Sequence, residues 1–76
     1  MDLQETVKYN IIRLREKTGI NQAELGRRMS PEYTRGGITR FENGSRIPCL
    51  KTLESLAKAL QVHPEEFFEG YDENNF

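Results

Sequence analysis

The feature that most constrains this chain is a long apolar stripe in its C-terminal third, which repeats with the period of an α-helix. The spacing between successive apolar residues is three residues, except for one adjacent pair, and this pattern places them on one face of a helix. The residues are Leu50, Leu53, Leu56, Ala57 and Leu60. An apolar helix face has to be buried against another element. We therefore expect these side chains in the core of a helical bundle.

A first helix is indicated nearer the N-terminus by four side chains that share one face. Val7, Ile11, Leu14 and Thr18 lie four, three and four residues apart, which is helical spacing. Gly19 follows directly and supplies the left-handed residue that commonly ends a helix. The sequence therefore predicts a helix that ends at about residue 18.

A second and a third helix are each marked by a capping residue. Asn21, with Glu24 three residues later, has the spacing of a capping box, in which each side chain binds the other residue's free backbone N–H. Thr34 is predicted to cap the third helix. Tyr33 just outside that helix and Ile38 inside it have the spacing of a hydrophobic staple.

A fifth helix is predicted after the apolar stripe, where Pro64 is followed by two glutamates. Proline is favoured at the first helical position, and acidic residues are favoured in the first turn. With short connections and no strand candidate of useful length, the chain is predicted to be an all-α bundle of five helices. We expect one domain over residues 1–69 and a flexible tail over residues 70–76.

Length and composition exclude several classes of protein. The chain has 76 residues and one cysteine, Cys49, so it forms one small domain without an internal disulfide. No segment approaches the roughly 20 apolar residues that span a bilayer, and we expect a cytoplasmic protein. The single histidine, His63, leaves no metal-ligand or catalytic arrangement. We expect no enzyme activity, no metal, no cofactor and no small-molecule substrate.

The net charge of −1 conceals a gradient along the chain. Residues 21–51 carry six basic and three acidic side chains, whereas residues 52–76 carry one basic and six acidic side chains. One surface of the protein can therefore attract phosphate while another repels it. Charge alone does not distinguish nucleic-acid binding from a merely soluble surface.

Two stretches of the sequence resemble the lambda-repressor/Cro-like helix-turn-helix domains, also called the XRE family. They are IIRLREKTGINQAELGRRM and ITRFENGSRIPCLKTLESLAKALQVHPEEFF, which together cover most of residues 10–68. The second stretch combines Glu-Asn-Gly after an Ile-x-x-aromatic step, a proline four residues past that glycine, and a leucine helix that closes in Val-x-Pro. The resemblance implies a lambda-repressor-like bundle and a DNA-binding transcriptional regulator, expected to be a repressor, whose third helix lies in the major groove.

The resemblance also implies which residues contact double-stranded DNA. Arg35 and Arg40 would read base edges, because arginine can bond both acceptors of guanine, and Thr39 would contact a thymine methyl or a phosphate. Two alternatives remain open. Arg35 and Arg40 contact only phosphate, or Thr34 only caps the helix and does not contact DNA. Contacts to the DNA backbone fix the position of the protein without reading sequence. The residues that match the family's backbone contacts are Gln22, Thr34, Asn43 and Arg46.

Two internal contacts are implied in the same way. Gln22 would brace the third helix while it meets a phosphate. Arg15 and Glu42 match a pair that in the family often joins the first helix to the end of the third. If that pair is buried, the loss of one partner would leave the other charge unpaired at a cost of several kcal/mol.

The sequence departs from the family between the second and third helices, where the segment from Met29 to Ile38 is about two residues longer. We place the extra length in residues 30–32, Ser-Pro-Glu, which keeps Thr34 as the cap of the third helix. In a rival register Ser30 caps a longer helix, which two glycines then interrupt. The DNA contacts above depend on the first register.

Gly36 and Gly37 fall inside the predicted third helix, where each costs roughly 0.5–1 kcal/mol relative to alanine. Three explanations are open. The helix is partly disordered until DNA binds, or the absent side chain lets the backbone come close to the groove, or the protein has lost DNA binding and keeps the fold for protein contacts.

The leading hypothesis is a homodimer that binds an inverted-repeat operator. Phe67 and Phe68 are candidate dimer contacts, because a small domain cannot bury every aromatic side chain near its end. The alternative is a protein-interaction module, an antitoxin-like or antirepressor partner, that uses the acidic C-terminal region and its phenylalanines. Cys49, at the start of the fourth helix, is either a passive small residue or a thiol with a lowered pKa that senses oxidants.

Overall fold

Four α-helices and one short 3₁₀ turn form the protein in the computed structural model, which describes residues 1–71. Within these residues there is no β-strand. The predicted all-α class and the helix-turn-helix arrangement are thus confirmed, but the count of five helices is wrong. The helices are α1 (Leu3–Thr18), α2 (Gln22–Arg28), α3 (Arg35–Asn43) and α4 (Leu50–Leu60).

The segment predicted as a fifth helix is the 3₁₀ turn Pro64–Phe68, which has only five residues. Its backbone bonds run over three positions, as from Glu66 N to the His63 carbonyl at 2.9 Å. The buried amide of Asn10 in α1 donates to the carbonyls of Phe67 and Glu69, both at 2.9 Å. These two bonds hold the end of the turn against α1, so packing on α1 sets the path of the chain there.

The capping signals in the sequence predicted the start of α2 and α3 correctly. The Asn21 side chain accepts from Glu24 N at 2.8 Å, and the Thr34 hydroxyl accepts from Gly37 N at 3.1 Å. The backbone over residues 30–34 is not helical, so the rival register that starts at Ser30 is wrong. The carboxylate of Glu24 does not complete a capping box and is instead bound by two arginines of its own helix.

The core lies where α1 and the α2–α3 pair meet α4 and the 3₁₀ turn. Leu50, which is predicted to be buried with the rest of the apolar stripe, is instead 81% exposed, and Thr18 on the predicted face of the first helix is also exposed. Leu50 is the first residue of α4, so its side chain lies ahead of the turns that pack on the other helices. The buried apolar side chains are Val7, Ile11, Leu14, Leu25, Met29, Ile38, Phe41, Leu53, Leu56, Ala57, Ala59, Leu60 and Phe67.

The turn between α2 and α3 packs directly on the backbone of α2 at Gly26. Tyr33 N donates to the Gly26 carbonyl at 3.0 Å. A Cβ atom on Gly26 would overlap the carbonyl oxygen of Tyr33. The Tyr33 ring then packs on Phe41, with ring centroids 5.5 Å apart. The turn can therefore approach α2 this closely because position 26 has no side chain.

The C-terminal residues predicted as a flexible tail lie mostly outside the described residues. At the start of that segment, Tyr71 N donates to the Phe68 carbonyl at 3.1 Å. Within residues 1–71, no helix is both long enough and apolar enough to cross a membrane.

We expect Gly26→Ala to lower the free energy of unfolding by about 1–3 kcal/mol, because the added methyl group has to displace the Tyr33 backbone. Urea unfolding followed by far-UV circular dichroism measures this change. The matched control is Gly36→Ala, which adds the same methyl group to a helix where the nearest atom, the Thr34 hydroxyl oxygen, is 3.8 Å away. Equal destabilisation by the two variants would contradict the close approach at Gly26.

Candidate nucleic-acid interface

A polar network around Glu42 joins α1, α2 and α3. The Glu42 carboxylate accepts from Arg15 Nε at 2.6 Å and Arg15 Nη2 at 3.1 Å, and also from Gln22 Nε2 at 2.9 Å. Arg15 Nη1 donates in addition to the Ile20 carbonyl at 3.0 Å. The side chains of Arg15 and Glu42 are only 14% and 8% exposed. The predicted ion pair between the first and third helices is confirmed.

The pKa of Arg15 is raised above its ordinary value, chiefly by its hydrogen bond to Glu42, although burial acts in the opposite direction. The guanidinium is therefore charged wherever the protein is folded. A charge held this deeply depends on its partner, because an unpaired buried ion is costly.

Two predicted DNA contacts, Gln22 and Thr39, bind each other in the protein. The Thr39 hydroxyl donates to Gln22 Oε1 at 2.8 Å and also lies 3.0 Å from the Arg35 carbonyl. Gln22 therefore links α3 to the Glu42 network and braces it, as predicted. The Thr39 hydroxyl is engaged within the protein, so its methyl group is the part that remains for another contact.

The predicted base-reading residues lie on the exposed side of α3. Arg35 is the first residue of α3, and Arg40 is exposed near its other end. Arg35 lines an open depression of about 420 Å³ between the starts of α2 and α3, together with Arg15, Asn21, Gln22 and Ala23. Thr34 is also exposed, and its hydroxyl caps the helix.

The loop after α3 lies beside Arg40. Arg46 N donates to the Arg40 carbonyl at 3.2 Å, and Asn43 Oδ1 accepts from Ser45 N at 2.9 Å. Both Asn43 and Arg46 are exposed. Asn43 is the last residue of α3 and not part of the loop, and both it and Arg46 lie near Arg40, one of the predicted base-reading arginines.

Sequence reasoning missed Lys8, which belongs to α1 but lies beside this loop. Its Cδ atom is 3.4 Å from the place where a Cβ on Gly44 would be, and it lines a crevice with Arg46. No sequence spacing links Lys8 to α3, because the contact exists only once α1 has packed against that helix. Lys8 adds a positive charge to the same side of the protein.

The acidic side chains on α2 and α3 are paired within the protein. Glu24 binds Arg27 at 2.7 Å and Arg28 at 3.0 Å. The hydrogen bonds from Arg27 and then Arg28 lower the pKa of Glu24. None of the ion pairs formed within residues 1–71 involves Arg35, Arg40 or Arg46. The positive charge of these three arginines is therefore not neutralised by the described residues.

The two candidate dimer contacts have different environments. Phe67 is completely buried in the core, whereas Phe68 is 37% exposed. A surface role for Phe67 is therefore excluded in the folded monomer, and Phe68 alone remains a candidate. Ile47 and Leu50, which sequence reasoning did not consider for this role, are 59% and 81% exposed.

Cys49 occupies the N-cap position of α4 and is exposed. Its Sγ lies 3.3 Å from the hydroxyl oxygen of Thr52, which also lies 3.2 Å from the Tyr33 hydroxyl. The hydrogen bond with Thr52 is the largest of the causes that lower the pKa of the Cys49 thiol. The choice between a passive small residue and a thiol that senses oxidants stays a prediction.

A helix-turn-helix family model matches residues 11–67 of the chain. This chain belongs to the helix-turn-helix family. It is 34% identical over all 76 of its residues, and over 96% of the relative, to the uncharacterized HTH-type transcriptional regulator y4dJ of Sinorhizobium fredii. The resemblance to the lambda-repressor-like, XRE-type domains is confirmed.

Two solved structures are similar to this helix-turn-helix protein. One is the P22 c2 repressor in complex with a synthetic operator, with a TM-score of 0.72 and 30% identity over 84% of this chain and 94% of that one. The other is a point mutant of the restriction-modification controller protein C.Esp1396I, with a TM-score of 0.78 and 31% identity over 88% of this chain and 87% of that one.

We expect Glu42→Gln to lower the free energy of unfolding by about 1–3 kcal/mol, because it leaves the Arg15 guanidinium, only 14% exposed, without its counter-charge. The matched control is Glu54→Gln, since Glu54 pairs with Lys58 at 4.0 Å and both side chains are more than 60% exposed. Such exposed pairs contribute about 0–1 kcal/mol. Urea unfolding measures both variants, and similar losses would contradict the role given to Glu42.

We expect the Cys49 thiol to react with iodoacetamide with a pH midpoint below that of an unstructured cysteine peptide, because the Thr52 hydroxyl stabilises the thiolate. Thr52→Val should raise that midpoint. Tyr33→Phe is the control, since it removes the other hydroxyl that contacts Thr52 and leaves the contact between Thr52 and Cys49. An unchanged midpoint in Thr52→Val, with the fold verified by circular dichroism, would contradict this assignment.

Proposed function

We propose that this protein is a homodimeric, sequence-specific transcriptional repressor that binds an inverted repeat in double-stranded DNA with α3 in the major groove. The coarse function rests on the comparisons. The protein is a DNA-binding transcriptional regulator because it belongs to the helix-turn-helix family, its relative is named as a transcriptional regulator, and a similar structure is a repressor with its operator. DNA as the partner implies a cytoplasmic protein.

The observation that carries the finer proposal is the exposed face of α3. Gly36, Thr39, Arg40 and Asn43 are spaced at i, i+3, i+4 and i+7, which places them on one stripe of the helix. Residues 37, 38 and 41 of the same helix are buried. We call this exposed stripe the α3 face. An arginine on such a face can bond the two acceptors of guanine in the major groove.

The residues beside the α3 face fit the role of holding the DNA backbone. The Gln22 side-chain amide has two hydrogens, and Glu42 accepts one of them at 2.9 Å. The second hydrogen is therefore available for a phosphate at the depression that Arg35 lines. Arg46 and Asn43 would hold the backbone at the other end of α3. These contacts fix register without reading sequence.

The homodimer is part of the proposal, because one short helix covers only part of an operator and two-fold symmetry matches an inverted repeat. Phe68 is the dimer contact that remains from the sequence prediction. We retain residues 1–69 as the DNA-binding domain and residues 70–76 as a tail. The interaction-module hypothesis loses one of its phenylalanines, since Phe67 is a core residue.

The test is selection from random duplex DNA at moderate salt, with the wild type beside an Arg35→Ala, Arg40→Ala double variant. We expect the wild type to enrich a palindrome, and the double variant to lose or relax that enrichment because it lacks the base-reading side chains. Binding should weaken steeply with salt, since phosphate contacts release counterions.

The matched control is an Arg27→Ala, Arg28→Ala double variant. It removes the same charge, but from two arginines that pair with Glu24 on α2. This control should enrich the same palindrome as the wild type. If the folded wild type enriches no sequence, the proposed function is wrong. If both double variants behave alike, Arg35 and Arg40 do not read bases.

A further inference from the structure

The glycines of α2 and α3 differ in what a side chain would meet. A Cβ on Gly26 would overlap the Tyr33 carbonyl, and a Cβ on Gly37 would lie 3.0 Å from Tyr33 Cδ2. A Cβ on Gly36 would have only the Thr34 hydroxyl oxygen within 4 Å, at 3.8 Å. The packing of the protein thus requires glycine at position 26 and favours glycine at position 37. It gives no reason for glycine at position 36.

Glycine inside a helix lowers stability relative to alanine, because it loses more conformational freedom on folding. Gly36 has no left-handed backbone to justify this cost, since the positive φ angles of glycine within residues 1–71 occur at Gly19, Gly44 and Gly70. Neither the space around Gly36 nor its conformation requires glycine. The folded monomer therefore gives no reason for glycine at this position.

Gly36 is at the start of the α3 face, one helical turn before Thr39 and Arg40. It lies in the first turn, where backbone amides lack acceptors within the helix. Thr34 satisfies the amides of Gly37 and Ile38. Among the hydrogen bonds of residues 1–71, the Arg35 and Gly36 amides have no partner. Bare backbone is therefore exposed next to the proposed base-reading side chains.

We propose that Gly36 is a specificity-determining residue at which the major groove of double-stranded DNA contacts the backbone of α3 directly. This inference rests on the proposed function. A side chain at position 36 would hold the start of α3 away from the base edges, because non-bonded carbon atoms approach only to about 3.5–4.0 Å. Arg35 and Arg40 belong to the same helix, so the depth of α3 in the groove also sets where their side chains meet the base edges.

The test is Gly36→Ala, for which stability and DNA binding should change in opposite directions. We expect the thermal midpoint to rise by about 2–6 °C, because alanine favours the helix and meets open space. We expect affinity for the duplex that the wild type selects to fall fivefold or more. Thermal unfolding and fluorescence anisotropy with that labelled duplex measure the two effects.

The control is Gln61→Gly, which removes the strain of a non-glycine residue with a φ of 58° at the end of α4. It should also raise the thermal midpoint, but without weakening binding, which shows that added stability alone does not reduce affinity. Gly36→Ser should weaken binding like Gly36→Ala.

The possible outcomes distinguish a failure of this inference from a failure of the proposed function. If the wild type selects a sequence but Gly36→Ala binds it within fivefold of the wild type, the inference is wrong and the proposed function stands. A lowered thermal midpoint for Gly36→Ala would also overturn it, because the protein itself would then require glycine there. If the wild type selects no sequence, both proposals fail.

Discussion

The position of α3 depends on one carboxylate. Glu42 is near the end of α3, and it binds Arg15 of α1 and Gln22 of α2 at the same time. A carboxylate and a guanidinium that are both largely withdrawn from water are stable only when each is paired and hydrogen-bonded. The network therefore holds the end of α3 against α1 and α2. Thr39 extends the network along α3 through Gln22.

The helix boundaries could be predicted from the sequence wherever the deciding contact is local. Asn21 and Thr34 each bind a backbone amide three residues away, so the residue type and its spacing carry the information. Asn10 shows the opposite case, because it binds the carbonyls of Phe67 and Glu69, 57 and 59 positions away. No local pattern reports such a contact, which is why the 3₁₀ turn was predicted as a fifth helix.

The candidate site was predictable to the extent that it follows the family pattern. The resemblance supplied the Arg15–Glu42 pair and the bracing role of Gln22. It did not predict the role of Gly26, which depends on how closely the backbone of Tyr33 approaches α2. It also did not supply Lys8, which is brought beside Gly44 by packing, or the bond that engages the Thr39 hydroxyl inside the protein.

A net charge of −1 is compatible with binding a polyanion because of where the charges are paired. Glu24 and Glu42, the acidic residues within α2 and α3, are bound by arginines of the same protein. At physiological ionic strength, exposed charges more than about 8 Å from a phosphate are largely screened. The charge near the α3 face therefore matters more than the total. There, the cations not paired within residues 1–71 are Lys8, Arg35, Arg40 and Arg46.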